Sequence, residues 1–233
     1  MISMTHSALN SRVILSDDNP AIVTIEKQEI FSLMSMQLQM QINNEPGDFN
    51  FSRDYKPITI SKEVELIHSP VLLDFGQRKI LLRICSDLDK LSMSAEHYEA
   101  TAQMQQAVQT FLDRMSASYT IPLIWDLELS AGNLAKAANI KADIEELSLV
   151  SRILTYMEIL TSLKIANIFV FVNLRTYLNA EQLKSLFYES RLKKYSMLLL
   201  ENRTMPRITD YERHLTMDED MCEIINDFAD SMK

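Results

Sequence analysis

The chain has 233 residues, of which 47% are hydrophobic and 24% charged, so it can bury the core of one large domain or two small ones. Its net charge of −9 argues against an evenly basic nucleic-acid-binding surface but is compatible with a local basic stripe. Only three glycines occur, whereas glycine usually makes up about 7% of a protein. Neither GxxxxGK[ST] nor GxGxxG can be written, which disfavours ordinary nucleotide binding.

Membrane, redox and hydrolase classes also lack support in the sequence. No run approaches the roughly 18 apolar residues of a membrane span, and the N-terminus has no signal-peptide pattern, so we expect a cytoplasmic protein. Cys85 and Cys222 are isolated and are expected to be small buried hydrophobes rather than a disulfide or metal pair. The four histidines lie far apart, and no HExxH, CxxC or glycine-flanked nucleophile motif is present.

The first third of the chain predicts strands around one helix. Residues 26–42 have helical periodicity and end in the turn 43–47. The run SPVLLDF, residues 69–75, is predicted to be a central strand. The other strands predicted here are 11–16, 21–26, 49–53 and 58–68.

Strand signals then vanish, and long helical periodicity begins. Residues 76–141 are predicted to form an α-helical leg inserted into an α/β head made of residues 1–75 and 142–233. In the predicted helix 94–119, the apolar residues recur close to heptad spacing, so this face is expected to pack along another helix. The residues of that stripe are Tyr98, Met104, Val108, Phe111, Leu112, Met115 and Tyr119.

The segment 167–202 predicts a βαβ unit. The apolar runs NIFVFVN and YSMLLLEN flank the amphipathic helix AEQLKSLFYESRLKK, and strands joined in this way pair in parallel through a crossover. Asn179 and Gln182 fit a capping box, and Leu183, Leu186 and Phe187 form the stripe that packs on the sheet. The fold class is therefore α/β with a mostly parallel sheet. A loop is predicted at 205–206 and a strand at 222–225.

Acidic residues near the tip of the helical leg are the candidate metal ligands. Asp126 and Glu128 adjoin Trp125, and carboxylate oxygens suit Ca²⁺, which takes six to eight oxygen ligands. Two residues cannot complete such a coordination sphere, so a site would also need Asp143, Glu145, Glu146, water or another subunit. A solvated acidic surface is the alternative.

A set of basic side chains is the candidate DNA-binding surface. Arg78, Lys79, Arg83 and Lys90 lie on one predicted helix, and further cations lie on the other helical pieces. Aligned helices would let these side chains follow phosphates by charge without reading bases, whereas ordinary salt bridging on helix faces is the alternative. The further residues of the set are Arg114, Lys136, Lys141, Arg152 and Lys164.

Several sequence segments, in their order along the chain, resemble those of the type II-A CRISPR-associated spacer-acquisition proteins. That family binds ends of double-stranded DNA. SDDNPAIVTIEKQEIFSLM is similar to the family opening, and SPVLLDF followed by KILLRICSDLDKL is similar to its strand and helix. The strongest match is IFVFVNLRTYLNAEQLKSL followed by YSMLLLENR. The resemblance extends over most of the chain.

The resemblance implies a head related to P-loop ATPases without the phosphate loop, an α-helical leg and a ring-shaped homotetramer. It also implies double-stranded DNA in a hole lined by lysine and arginine, and Ca²⁺ held by acidic leg residues. Its partners would be the CRISPR integrase complex and the effector nuclease. Asp126 is similar to an aromatic-acid position of the acidic cluster, whereas Gly132 and Asn133 stand where further acidic residues are expected.

Two functions follow as hypotheses. The first is a non-enzymatic protein that binds double-stranded DNA without sequence preference and helps capture new spacers in antiviral defence. The second is a helical scaffold that assembles protein partners without direct DNA binding. A divergent nucleotide hydrolase is disfavoured because no phosphate loop is present.

Overall fold

The computed structural model describes residues 1–125, 129–141 and 148–226. The chain divides into two compact units. The α/β unit comprises Met1–Leu73 and Ile144–Lys233, and the helical unit comprises Asp74–Asp143. In sequence, the helical unit is therefore an insertion into the α/β unit.

The described residues form ten strands and seven α-helices. The strands are β1 (Ile2–Thr5), β2 (Val13–Leu15), β3 (Ala21–Ile25), β4 (Asn50–Arg53), β5 (Lys56–Pro57), β6 (Val64–Ile67), β7 (Ile168–Val172), β8 (Ser196–Glu201), β9 (Arg213–Met217) and β10 (Glu223–Asn226). The helices are α1 (Gln28–Ile42), α2 (Ile60–Glu63), α3 (Arg78–Ser92), α4 (Tyr98–Ser116), α5 (Ala131–Ala137), α6 (Leu149–Ser162) and α7 (Ala180–Leu192). Among these, no helix is both long enough and apolar enough to cross a lipid bilayer.

A six-stranded, mostly parallel sheet forms the centre of the α/β unit. Its order is β10-β9-β3-β8-β7-β6, and only β10 runs antiparallel to its neighbour. Every residue of β7 and β8 is buried, which explains why both sequences are almost continuously apolar. The predicted α/β fold class, with a mostly parallel sheet, is confirmed.

Helix α7 begins and packs as the sequence predicts. The Gln182 N–H donates to Asn179 Oδ1 (2.9 Å), and the Asn179 N–H donates to Gln182 Oε1 (3.0 Å). The predicted capping box is therefore confirmed. Leu183, Leu186 and Phe187 are buried, so the predicted apolar stripe is also confirmed.

A smaller antiparallel sheet, with the order β2-β1-β4-β5, completes the α/β unit. Its inward side chains include Met4, Leu15 and Phe51, which belong to the same apolar core as β3, β7 and β8 of the large sheet. Strand β1 was not predicted because a four-residue strand at the start of a chain gives almost no periodicity.

One strand prediction is wrong, and a second is correct only in its C-terminal half. Residues 69–75 do not form a central strand, because Pro70 starts a 3₁₀ turn and cannot donate to a β-ladder. Val71 and Leu72 are exposed, whereas Leu73 and Phe75 are buried, so only part of this apolar run enters the core. The predicted strand 58–68 begins with the helical turn α2, and only β6 reaches the sheet.

In the helical unit, α3 and α5 pack closely at Gly132. A Cβ at this position would lie 2.7 Å from the Cys85 carbonyl oxygen, so only glycine fits without movement of the backbone. The Gly132 N–H donates to Asp89 Oδ1 (2.7 Å). The contact fixes the start of α5 on the second half of α3.

Helix α4 buries none of its residues. Phe111 is 60% exposed and Tyr119, just beyond the helix, is 65% exposed. Met104, Val108 and Leu112 of the same stripe are half-buried, so the described residues cover the stripe only in part.

Candidate nucleic-acid interface

Helix α3 carries the densest group of predicted DNA-binding residues. At 3.6 residues per turn, Lys79, Arg83 and Lys90 fall within an arc of about 40°. Arg78, the first residue of the helix, lies about 100° from Lys79. Three cations therefore form one stripe along the helix, with a fourth beside its N-terminal end.

Asp87 lies next to this stripe and pairs with two of its members. Its carboxylate oxygens lie 3.3 Å from Arg83 Nε and 3.4 Å from Lys90 Nζ. The predicted alternative, salt bridging on a helix face, thus holds for these two residues. Because exposed pairs contribute only about 0–1 kcal/mol, a phosphate can replace Asp87 as a partner at little cost.

Lys136 is brought close to the same helix by the contact of α5 with α3. It lies one turn after Gly132, and its Nζ is 3.4 Å from Asn133 Oδ1. The Gly132 N–H, then the Ser130 hydroxyl and the nearby charge of Lys136, lower the pKa of Asp89. Gly132 and Asn133 stand where the family resemblance predicts acidic residues. Both lie in the first turn of α5, where Ser130 Oγ accepts the Asn133 N–H (3.1 Å).

The other predicted residues have separate positions. Arg114 is exposed in the last turn of α4, and Lys141 is exposed after the end of α5. Arg152 and Lys164 belong to the α/β unit. Arg152 is half-buried on α6 and donates weakly to the Leu73 carbonyl (3.5 Å), whereas Lys164 is exposed after α6.

The junction between β3 and α1 is too short for a phosphate loop. Only Glu26 and Lys27 connect the two elements, and neither is glycine. A phosphate-cradling loop needs several consecutive N–H groups turned toward the anion, which glycines make possible. This junction of the α/β unit therefore lacks the nucleotide-binding feature of P-loop proteins.

A buried polar cluster in the α/β unit was missed by the sequence reasoning. Arg175 Nη2 donates to Glu212 Oε2 (2.6 Å), and the two side chains are 1% and 0% exposed. His214 Nε2 lies 2.7 Å from the same Glu212 oxygen. The Arg175 N–H donates to Glu201 Oε1 (3.2 Å) at the end of β8.

This cluster sets the protonation of two carboxyl groups and fixes the connection between β8 and β9. Burial raises the pKa of Glu201 to about 7. Burial also opposes ionisation of Glu212, but His214, the Thr209 N–H and the charge of Arg175 outweigh it and lower that pKa. A charged residue at the end of a fully buried strand, as at Glu201, was the available signal.

The sequence model of the family described as CRISPR-associated protein (Cas_Csn2) matches residues 25–221. The chain belongs to the Cas_Csn2 family. The resemblance seen in the sequence is thus confirmed, and the protein has a CRISPR-associated role. No curated protein sequence matches the chain.

Among solved structures, that of Stu0660 of Streptococcus thermophilus matches with a TM-score of 0.54 and 12% identity, covering 93% of this chain and 74% of that one. At this identity the match shows the fold alone. A bacterial Atm1-family ABC exporter with ATP bound has a TM-score of 0.44 and 13% identity, covering 98% and 39%. The dimeric ATP-binding cassette MJ0796, bound to ADP and Pi, has a TM-score of 0.43 and 10% identity, covering 98% and 99%. Neither of these two supports an inference here.

The candidate calcium ligands of this Cas_Csn2 family member, Asp126, Glu128 and Glu145, lie outside the described residues. Within residues 1–125, 129–141 and 148–226, no group of three or more His, Cys, Asp or Glu side chains is placed to hold a metal ion. Calcium binding by the three carboxylates stays a prediction from the sequence.

Proposed function

We propose that this CRISPR-associated protein is non-enzymatic, binds double-stranded DNA without sequence preference, and helps capture new spacers. The observation that carries the proposal is the α3 stripe of Lys79, Arg83 and Lys90, with Lys136 on the neighbouring α5. The positive charges of these side chains attract DNA phosphates. This attraction dominates sequence-independent binding to DNA.

The length of the stripe suits a DNA backbone. Lys79 and Lys90 are separated by about 17 Å along the helix axis, at 1.5 Å per residue. One DNA strand presents about five phosphates over that axial distance. Because the whole chain carries a net charge of −9, DNA can bind only where positive side chains are concentrated. The α3 stripe is such a surface.

The proposal includes an assembly and a cofactor. We place the protein in a homotetrameric ring that loads over DNA ends, with Ca²⁺ held by Asp126, Glu128 and Glu145. The ring would act together with the CRISPR integrase complex and the effector nuclease. These features come from the family resemblance and await experiment.

A gel-shift comparison of one plasmid in linear and closed-circular form tests end loading. We expect the linear form alone to bind, and a chelator to weaken that binding. Equal binding to both forms would overturn end loading. Binding to neither form, with or without Ca²⁺, would overturn the DNA-binding function itself.

Charge reversal on α3 tests the surface. Arg78→Glu and Lys79→Glu lie in the first helical turn, where a carboxylate is favoured by the helix dipole, so the fold should be retained. Each lost phosphate contact should reduce the slope of log affinity against log salt by about 0.9. Lys56→Glu, on the exposed strand β5 of the other unit, is the matched control. Unchanged binding by both α3 variants would remove these residues from the interface.

The scaffold function is the second candidate, and α4 is the observation that favours it. A helix of 19 residues that buries none of them, yet exposes Phe111 and Met115, is suited to cover by another protein. Co-purification of CRISPR proteins that survives nuclease treatment, without measurable DNA binding, would favour the scaffold. Loss of all such partners on nuclease treatment would count against it.

A further inference from the structure

Helix α3 carries a carboxylate beside its stripe of cations. At 3.6 residues per turn and 1.5 Å per residue, Asp87 lies about 40° and about 6 Å from Arg83, and about 60° and about 4.5 Å from Lys90. The Asp87 side chain is 36% exposed, that of Arg83 is 38% exposed and that of Lys90 is 67% exposed. A ligand that reaches the two cations from solvent therefore meets this carboxylate as well.

Asp87 and Asp89, both on α3, have different contacts. Asp89 accepts the Gly132 N–H (2.7 Å), so it belongs to the contact that fixes the start of α5. The described partners of the Asp87 carboxylate are instead Arg83 and Lys90, at 3.3 Å and 3.4 Å. Removing the charge of Asp87 therefore leaves the contact between α3 and α5 in place.

Both ion pairs of Asp87 are long, because charge-assisted hydrogen bonds between nitrogen and oxygen usually measure about 2.7–2.9 Å. Arg83 Nε, although buried, has no hydrogen-bond partner among the described residues. A phosphate can therefore displace the carboxylate from either cation, but the displaced carboxylate stays on the same helix. Its negative charge then repels the phosphates that the cations attract.

We infer that Asp87 is a built-in competitor for phosphate that limits how tightly the α3 surface holds double-stranded DNA. The inference rests on the proposed DNA binding and adds a residue that opposes it. Lys79, Arg83 and Lys90 bring three positive charges and Asp87 one negative charge, so the local net charge is +2 instead of +3. A protein that captures DNA for use elsewhere also has to release it, and a limited affinity allows this.

Fluorescence anisotropy of a labelled blunt-ended duplex tests the inference, with the full-length protein, Ca²⁺ present and a series of NaCl concentrations. Asp87→Asn should tighten binding by about fivefold, because the competing charge is gone. The slope of log affinity against log salt should become steeper by about 0.9, the value for one additional phosphate contact. Asp87→Glu keeps the charge and the i,i+4 spacing to Arg83, so it should bind as the wild type does.

Asp113→Asn is the matched control. Asp113 is an exposed carboxylate on α4 of the same unit, and it accepts a hydrogen bond from Gln109 Nε2 (3.3 Å). The variant makes the same change in net charge and should leave binding unchanged. Equal tightening by both asparagine variants would assign the effect to net charge and would overturn the inference. Weaker binding by Asp87→Asn would also overturn it and would show that Asp87 orients Arg83 instead.

The inference and the proposed function fail in different ways. If the wild type and both Asp87 variants leave the duplex unbound, the proposed DNA binding falls and the inference falls with it. If the wild type binds and Asp87→Asn binds no more tightly, the inference alone is overturned. Far-UV circular dichroism of each variant establishes that the fold is kept.

Discussion

Replacing Arg175 by methionine tests whether the buried ion pair holds the connection between β8 and β9. Methionine keeps much of the volume but leaves Glu212, which is 0% exposed, without its cationic partner. Removing one partner of a buried pair costs about 3–5 kcal/mol. Because Glu212 keeps hydrogen bonds from Ile208 and Thr209, we expect the free energy of unfolding to fall by about 3 kcal/mol.

Thermal and urea unfolding measure this loss. For a chain of this size, 1 kcal/mol corresponds to about 2–4 °C, so Tm should fall by about 6–12 °C. The urea midpoint should fall while the m-value stays constant. Limited proteolysis should also cut the segment between β8 and β9 earlier in the variant, because Pro206 loses its bond from Arg175.

A double variant separates the unpaired charge from lost packing. Adding Glu212→Gln to Arg175→Met removes the uncompensated carboxylate, so the double variant should be more stable than Arg175→Met alone. If Arg175→Met costs less than about 1 kcal/mol, the pair is worth no more than an exposed one, and the reasoning is refuted.

Three further changes have defined outcomes. Gly132→Ala should destabilise the helical unit by about 1–3 kcal/mol in thermal unfolding, because its Cβ would meet the Cys85 carbonyl; unchanged stability would refute the close packing. Asn179→Ala should cost about 1 kcal/mol through loss of the capping box, whereas Asn179→Asp should retain most of it. Glu201→Gln should match the wild-type Tm at pH 5 and exceed it at pH 8.

The sign of the Glu201 effect follows from its environment. Burial raises the pKa of Glu201 from 4.5 to about 7, so between these values the native protein holds a proton that the unfolded chain has lost. Its contribution to stability therefore falls as the pH rises through this window, by at most about 3 kcal/mol, and is constant above it. A Tm difference between variant and wild type that is the same at pH 5 and pH 8 would contradict this account.

The sequence predicts the centre of the fold well because β7, β8 and α7 have strong local signals. Two fully buried strands read as apolar runs, and the capping box of Asn179 and Gln182 marks where the helix starts. The run 69–75 has similar hydrophobicity but does not form a strand. Pro70 begins a 3₁₀ turn and lacks the N–H that a residue of a central strand donates.

The candidate sites are predictable to different degrees. Placing Lys79, Arg83 and Lys90 on one helix needs only local periodicity, and so does the pairing of Arg83 and Lys90 with Asp87. The Arg175–Glu212 pair joins residues far apart in the chain, so no local sequence pattern predicts it.

The order of strands in the large sheet also constrains how the chain is built during synthesis. Ala21 pairs with Leu198 on one side and Arg213 on the other, and Val64 pairs with Ile168. All of these partners leave the ribosome after the helical unit, residues 74–143. The apolar strand β3 therefore has neither of its partner strands, β8 and β9, when the helical unit has been synthesised. The helical unit has mainly local contacts and can fold first. Closing the sheet is a late event, and until then β3 and β6 present open edges to which other chains can add.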